Sequence, residues 1–257
     1  MGNGNQTVTV TGTNNTLKTG NGNQTITFQG NNNTVVTGAG TSTINLAGSY
    51  ENITVGATPT GTTTITATGF GEQITSTGKG NVAVTGPNGN STVKLADGND
   101  TVTLGGSGNS VTVGVGTTTI NVGIGQGIVH AGGGSDTIFA TGWNNRLDAG
   151  PGMNFIHGGN GNDTFALNGA GQGLDTIYGF ALSNSDKLDL TRTLASVSSS
   201  VDLTNVGNYI TASTSGGNTT LYVDPTAGHG TPYAFASLQG VSATVAQLVA
   251  HNDLIVP

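Results

Sequence analysis

The sequence predicts an all-β chain: a two-sided parallel β-solenoid (β-roll) of 18-residue coils, with a C-terminal β-rich cap carrying one short helix. Three observations carry that prediction. Glycine supplies 45 of 257 residues and charged residues only 7%, yet 33% of the chain is apolar. The Val, Ile and Leu residues recur in short alternating runs between glycines, the pattern of short strands joined by tight turns. Gly2, Gly20, Gly38 and Gly56 share one even, 18-residue spacing, and the frame returns at Gly78, Ala96, Gly114, Gly132 and Gly150. A fixed period of this size marks stacked repeats.

Each coil divides into two nine-residue halves. Val102 and Leu104 hold the apolar places of one half, and Val111 and Val113 those of the next. One coil later come Ile120 and Val122, then Val129 and Ala131. Every half is a glycine turn followed by an in-out-in strand. Coils spaced by about 4.8 Å would make nine of them a rod on the order of 40 Å long. No coil buries its apolar face alone, so stability comes from stacking. Thr58–Gly61, reading TPTG, is an apparent four-residue insertion. Aromatic residues, at 5%, predict a thin core.

Between the turn and the strand lies a polar slot that returns in every half-coil. One side reads Asp100, Thr118, Asp136, Asn154, and the other Asn109, Gly127, Asn145, Asp163. Toward the N-terminus the slots hold Gln6, Asn15, Gln24, Asn33 and Ser42. Neutral slots can hydrogen-bond from coil to coil, as Asn and Gln ladders do in other stacked sheets. Acidic slots suit hard cations. Glycine turns can aim backbone carbonyls at one point, and an adjacent aspartate adds charged oxygens for Ca²⁺. Nearly all acid lies from Asp97 onward, so calcium should stabilise that half more than residues 1–95.

GGNGNDTFA at Gly158–Ala166 fits the GGxGxDxUx nonapeptide throughout, and GGGSDTIF at Gly132–Phe139 fits nearly as well. DGNDTV keeps Asp100 without the leading glycines. The 18-residue frame is expected to end at Leu167, and GLDTIYGFALSNSDKLDL follows at Gly173–Leu190. Together these stretches resemble RTX-type calcium-binding β-roll proteins with a type I secretion C-terminal target domain. The resemblance is specific over Gly132–Pro257 and looser upstream. It implies calcium ligands at Asp163 with Gly159 and Gly161, at Asp136 with Gly132 and Gly134, at Asp100 with Gly98, and at Asp175. It implies a β-roll over residues 1–168 and a capping and export domain over 169–257. It also implies secretion by the type I apparatus through an uncleaved C-terminal signal. In the cap, Leu221 and Val223 suggest strands, and ATVAQLVAHN a helix with Ser242 as N-cap.

Composition excludes several other classes. With a net charge of −7 and no basic patch, nucleic acid is not an expected partner. No apolar run is long enough to span a membrane. There is no cysteine, hence no disulfide or thiolate site. MGNGNQTVTV lacks the features of an N-terminal signal peptide. His130 and His157 are separated by an odd number of half-coils, which puts them on opposite faces, and no nucleophile elbow occurs. The chain therefore reads as non-catalytic: a self-assembling surface-layer or extracellular-matrix component, with surface polysaccharide as a further partner. Two alternatives stand beside it. One is the C-terminal secretion and stability module of a larger secreted enzyme or adhesin. The other is an ice-binding solenoid, from outward T-x-T pairs at Thr7/Thr9, Thr25/Thr27 and Thr101/Thr103, an array expected to break over residues 56–85 and again at Phe139.

Overall fold

The computed structural model describes residues 1–257 except 57–60, 87, 169–170, 183–185, 196 and 199. The chain forms two compact units, Met1–Gly132 and Gly133–Pro257. The first is a parallel β-solenoid with two sheets. One sheet stacks Gln6–Thr11, Gln24–Gln29, Ser42–Leu46, Thr62–Ala67, Asn81–Thr85, Thr101–Thr103 and Thr119–Asn121. The other alternates with it in sequence, from Thr16–Lys18 to Ile128–His130.

Register places like upon like. Val8 lies opposite Ile26, Ile26 opposite Ile44, and Val102 opposite Ile120. On the other sheet Leu17 meets Val35, Val35 meets Ile53, and Val111 meets Val129. From Ile26 and Val35 onward these inward residues are almost wholly buried. β-Branched side chains suit such a column, because few rotamers are lost on a pleated surface. The core is thin; Phe28, Phe165 and Phe235 are the largest side chains sealed within the two units.

The four extra residues of the first unit are divided. Thr43 pairs with Thr64 and Asn52 with Gln73, 21 positions on; Thr64 then pairs with Ala83 and Gln73 with Thr92, 19 positions on. Three extra positions therefore precede the strand Thr62–Ala67, and the fourth lies between Gln73–Ser76 and Asn81–Thr85. Thr58, Pro59 and Thr60 of the predicted insertion lie outside the described residues. This register also mends the outward threonine array. Thr43, Thr64, Ala83 and Thr101 align in one column and Asn45, Thr66, Thr85 and Thr103 in the next, so the break expected over residues 56–85 is a single alanine.

The second unit keeps the solenoid beyond Leu167, where the sequence frame was expected to end. Ile138, Ile156 and Ile177 form one inward column, and Leu147, Phe165 and Leu188 the other. The steps lengthen to 21 and 23 positions, which hides them from a search at the shorter period. Tyr233–Leu238 then pairs in parallel with Asp175–Tyr178, and Leu254–Ile255 with Lys187–Asp189. Asn218–Val223 and Ile210–Ser215 add two antiparallel strands outside Tyr233–Leu238. Leu221 and Val223 are buried in the first of these, as their alternation suggests.

Among the described residues two short α-helices occur where one was expected, Thr191–Ala195 and Val245–Ala250. The second starts later than anticipated, with Thr244 rather than Ser242 as N-cap. Thr244 Oγ1 accepts the Gln247 N–H at 3.2 Å, while Gln247 Oε1 accepts the Thr244 N–H at 2.9 Å. That reciprocal pair satisfies two otherwise orphaned donors, which a cap at Ser242 would leave open. Among the described residues no helix is long and apolar enough to cross a membrane.

Candidate functional site

The turn slots form a ladder. In the first unit, the N–H of Asn15 donates to Asn33 Oδ1 at 2.9 Å and that of Asn33 to Glu51 Oε2 at 2.6 Å. The N–H of Glu51 donates to Glu72 Oε2 at 2.8 Å, that of Glu72 to Ser91 Oγ at 3.1 Å, and that of Ser91 to Asn109 Oδ1 at 3.1 Å. Each slot side chain thus accepts the main-chain N–H of the slot one coil earlier. On the other side the N–H of Ser42 reaches Thr63 Oγ1 at 3.2 Å, and that of Val82 reaches Asp100 Oδ1 at 2.7 Å. Most of these amides sit just before a strand begins, and those of Ser42 and Val82 at a strand's start, so without the slot they would be donors lacking partners.

The second unit uses the same bond. The N–H of Asn145 donates to Asp163 Oδ1 at 2.8 Å, and that of Asp163 to Asp186 Oδ1 at 2.8 Å. The N–H of Asp136 donates to Asn154 Oδ1 at 2.9 Å, and that of Asn154 to Asp175 Oδ1 at 3.3 Å.

A slot amide has a second end with its own task. The Nδ2 of Asn33 donates to Gly30 O at 3.0 Å, that of Asn109 to Gly105 O at 2.8 Å, and that of Asn154 to Gly150 O at 3.1 Å. The oxygen end serves the preceding coil and the nitrogen end closes its own turn. Serine keeps one donor, and a carboxylate keeps none.

The expectation of neutral slots toward the N-terminus is overturned by Glu51 and Glu72, both at 0% exposure. Glu51 stands 18 positions after Asn33, a spacing that could have revealed it. Glu72 stands 21 positions further on, displaced by the extra residues before its coil. Burial pushes the Glu72 carboxyl up to about 7, and the Glu51 charge adds to that. Burial raises Glu51 as well, against the lowering effect of Asn33.

Among the residues expected to bind calcium, Asp163, Asp136, Asp100 and Asp175 all occupy buried slots. Gly159 and Gly161 share the turn before Asp163, with φ of +84° and +98°. Gly134, φ +146°, precedes Asp136 in the second unit; Gly98 precedes Asp100 in the first, as Gly132 ends it. Asp100 has Val82 and Thr118 as its slot neighbours, so neither neighbouring slot supplies a second carboxylate. Asp163 does have one, in Asp186, which was not among the expected ligands. Burial raises both, Asp163 to about 6. Asp175 is raised to about 7, mainly by burial and further by Asp148, which pairs with Arg192 at 2.6 Å.

The donor set at Asp163 accommodates a hard cation in part. Its Oδ1 takes both the main-chain and the side-chain N–H of Asn145, while Oδ2 takes no hydrogen bond among the described residues. A Cβ on Gly159 would lie 2.6 Å from Ala140 O and 3.0 Å from Gly142 O, so two carbonyls converge on that turn. Among the described residues no group of three or more Asp, Glu, His or Cys is placed to hold a metal. A cation at Asp163 must therefore draw on main-chain oxygens.

His157, one of the histidines weighed for chemistry, belongs to a ring stack on the outer face. It lies 4.7 Å from Phe139 and 4.5 Å from Tyr178, nearly parallel to both. Burial holds its imidazole below the usual range, which keeps it neutral at pH 7. No family model matches this chain, and no curated protein matches it.

Proposed function

We propose that the chain is a secreted, non-catalytic structural protein of the RTX type that assembles into an ordered surface layer or extracellular matrix. It leaves the cell by the type I apparatus through its uncleaved C-terminal signal, and its second unit takes Ca²⁺. The observation that carries this reading is the slot ladder. The same bond repeats coil after coil, so the polar chemistry of the chain is directed at its own stacking. The strand Gln6–Thr11, an uncharged QTVTVT, is the outer edge of its sheet. A strand of this composition carries no charge to oppose pairing with a second strand.

Asp163 Oδ2, the neighbouring Asp186 and the turn carbonyls would hold the calcium. Calcium would neutralise two desolvated carboxylates in adjacent slots, and its binding free energy would add to folding. In the first unit the slots hydrogen-bond from coil to coil, and Asp100 has no second carboxylate in either neighbouring slot. In millimolar Ca²⁺, electron microscopy and light scattering should reveal ordered assemblies. EDTA should lower hydrogen-exchange protection in the second unit and leave the first unchanged. Monomers alone at high protein and calcium concentration would contradict assembly, and equal loss in both units would contradict the calcium assignment.

The mended threonine array favours a second reading, ice binding. Its side chains repeat about 4.8 Å apart across strands and about 6.6 Å along them, a regular hydroxyl and methyl lattice suited to ordered water. Thermal hysteresis that Thr66→Tyr abolishes would support it, and absence of hysteresis would remove it.

A further inference from the structure

Glu51 and Glu72 fill consecutive slots, between Asn33 before them and Ser91 after them. Both oxygens of Glu51 meet donors: Oε2 accepts the Asn33 N–H, and Oε1 accepts Asn33 Nδ2 at 3.3 Å. Glu72 is served at one oxygen only. Its Oε2 accepts the Glu51 N–H, while Oε1 is buried without a partner. A main-chain acceptor lies beside that oxygen. A Cβ on Gly69 would overlap Gly48 O and lie 2.6 Å from Glu72 Oε1, so the carbonyl and the carboxyl oxygen flank one small space. Slot amides place their NH₂ group against a turn carbonyl three or four residues back, as Asn33 does with Gly30 O. Glu72 has no such NH₂ group, and its Oε1 lies beside Gly48 O, the turn carbonyl of the preceding coil.

Two facing acceptors repel, and an unsatisfied buried carboxylate is costly. A proton on Oε1 removes both problems, because a carboxylic acid then has one acceptor and one donor, as an amide does. Glu51 is the charged group that bears on Glu72, and Asn33 and Ser91, the other slots packed against the pair, are neutral. Among the described residues no cation pairs with either glutamate.

We propose that Glu51 and Glu72 hold one proton between them in the folded chain, on Glu72 Oε1, and that its loss makes the middle of the first unit a pH-sensitive joint. Burial and the Glu51 charge act in the same direction, raising Glu72 from 4.5 to about 7. The folded chain therefore binds more protons than the unfolded chain between those values. Stability from this pair is fully present on the acid side, declines as pH rises from 4.5 through about 7, and is level above that.

The chain has two glutamates in all, so ¹³C-carboxyl glutamate labelling of the full-length protein yields two side-chain resonances. One should titrate near pH 7, with the same midpoint in EDTA and in millimolar Ca²⁺. Glu72→Gln supplies the donor permanently; it should abolish that titration and melt at or above wild type at pH 8. Both resonances titrating in the ordinary range near about 4.3 would overturn the proposal. So would a Ca²⁺-induced fall of a unit or more in the midpoint, which would assign a cation to the site instead. If Glu72→Gln does not fold, the amide analogy fails, and the wild-type titration still decides the proton.

Discussion

Gly152→Ala is expected to destabilise the second unit by at least about 3 kcal/mol, the upper end of overpacking costs. A Cβ there would overlap Gly134 O and lie 2.7 Å from Gly134 C. These are backbone atoms of the preceding coil, bridged to Gly152 in register, so no side chain can swing away. Gly152 also has φ +141°, a conformation that only glycine adopts without strain. The methyl must push the two coils apart or force the turn into another shape. A fall in melting temperature of roughly 5–15 °C is expected. Gly207→Ala is the control, because a Cβ there meets nothing within 4 Å. Comparable melting of the two variants would mean that the turns are not stacked as described.

Asn33→Ala should cost about 2–5 kcal/mol, because it strands several buried groups at about 1–3 kcal/mol each, and such losses do not add fully. Asn33 Oδ1 accepts the main-chain and side-chain N–H groups of Asn15, at 2.9 and 3.1 Å, and its Nδ2 serves Gly30 O and Glu51. Alanine leaves the Asn15 amide and the Gly30 carbonyl without those partners. Asn33→Asp separates the two ends. It keeps the acceptor for Asn15 but sets a carboxylate against Gly30 O and Glu51. It should therefore lie near wild type at pH 5 and fall well below it at pH 8. Urea denaturation at both pH values measures this. If the Asn33→Asp variant is as stable as wild type at pH 8, the nitrogen end of the slot is unimportant.

The strands were legible in the sequence because strand pairing keeps a strict period of two, and a slip would turn every apolar side chain outward. Turns carry no such constraint, and a loop on the surface can lengthen at small entropic cost. The sequence frame was therefore displaced where a turn grew, and lost where two longer steps followed one another past Leu167. Glu51 remained on the frame, 18 positions after Asn33, but a carboxylate is not a usual core group and the slots before it are all neutral. Glu72 was displaced by the extra residues before its coil, and Asp175 and Asp186 by longer steps. Asp163 was visible because its turn has the full glycine pattern; its pairing with Asp186 was not, since that depends on register alone. The threonine columns were broken in the sequence and nearly continuous in space for the same reason. The helix cap was misplaced because Ser242 and Thr244 are both capping types, and only Thr244 has a glutamine at the third helical position.

The ladder itself is most directly tested by amide hydrogen exchange, residue by residue, in EDTA. Strand amides such as those of Val35 and Ile53 set the slow reference, and the exposed turn at Gly216 and Gly217 sets the fast one. The N–H groups of Asn15, Asn33 and Glu51 are predicted to exchange nearly as slowly as the strand amides, because their acceptors are buried slot oxygens in the next coil. Exchange of these amides at the rate of the Gly216–Gly217 turn, with the strands still protected, would contradict the account.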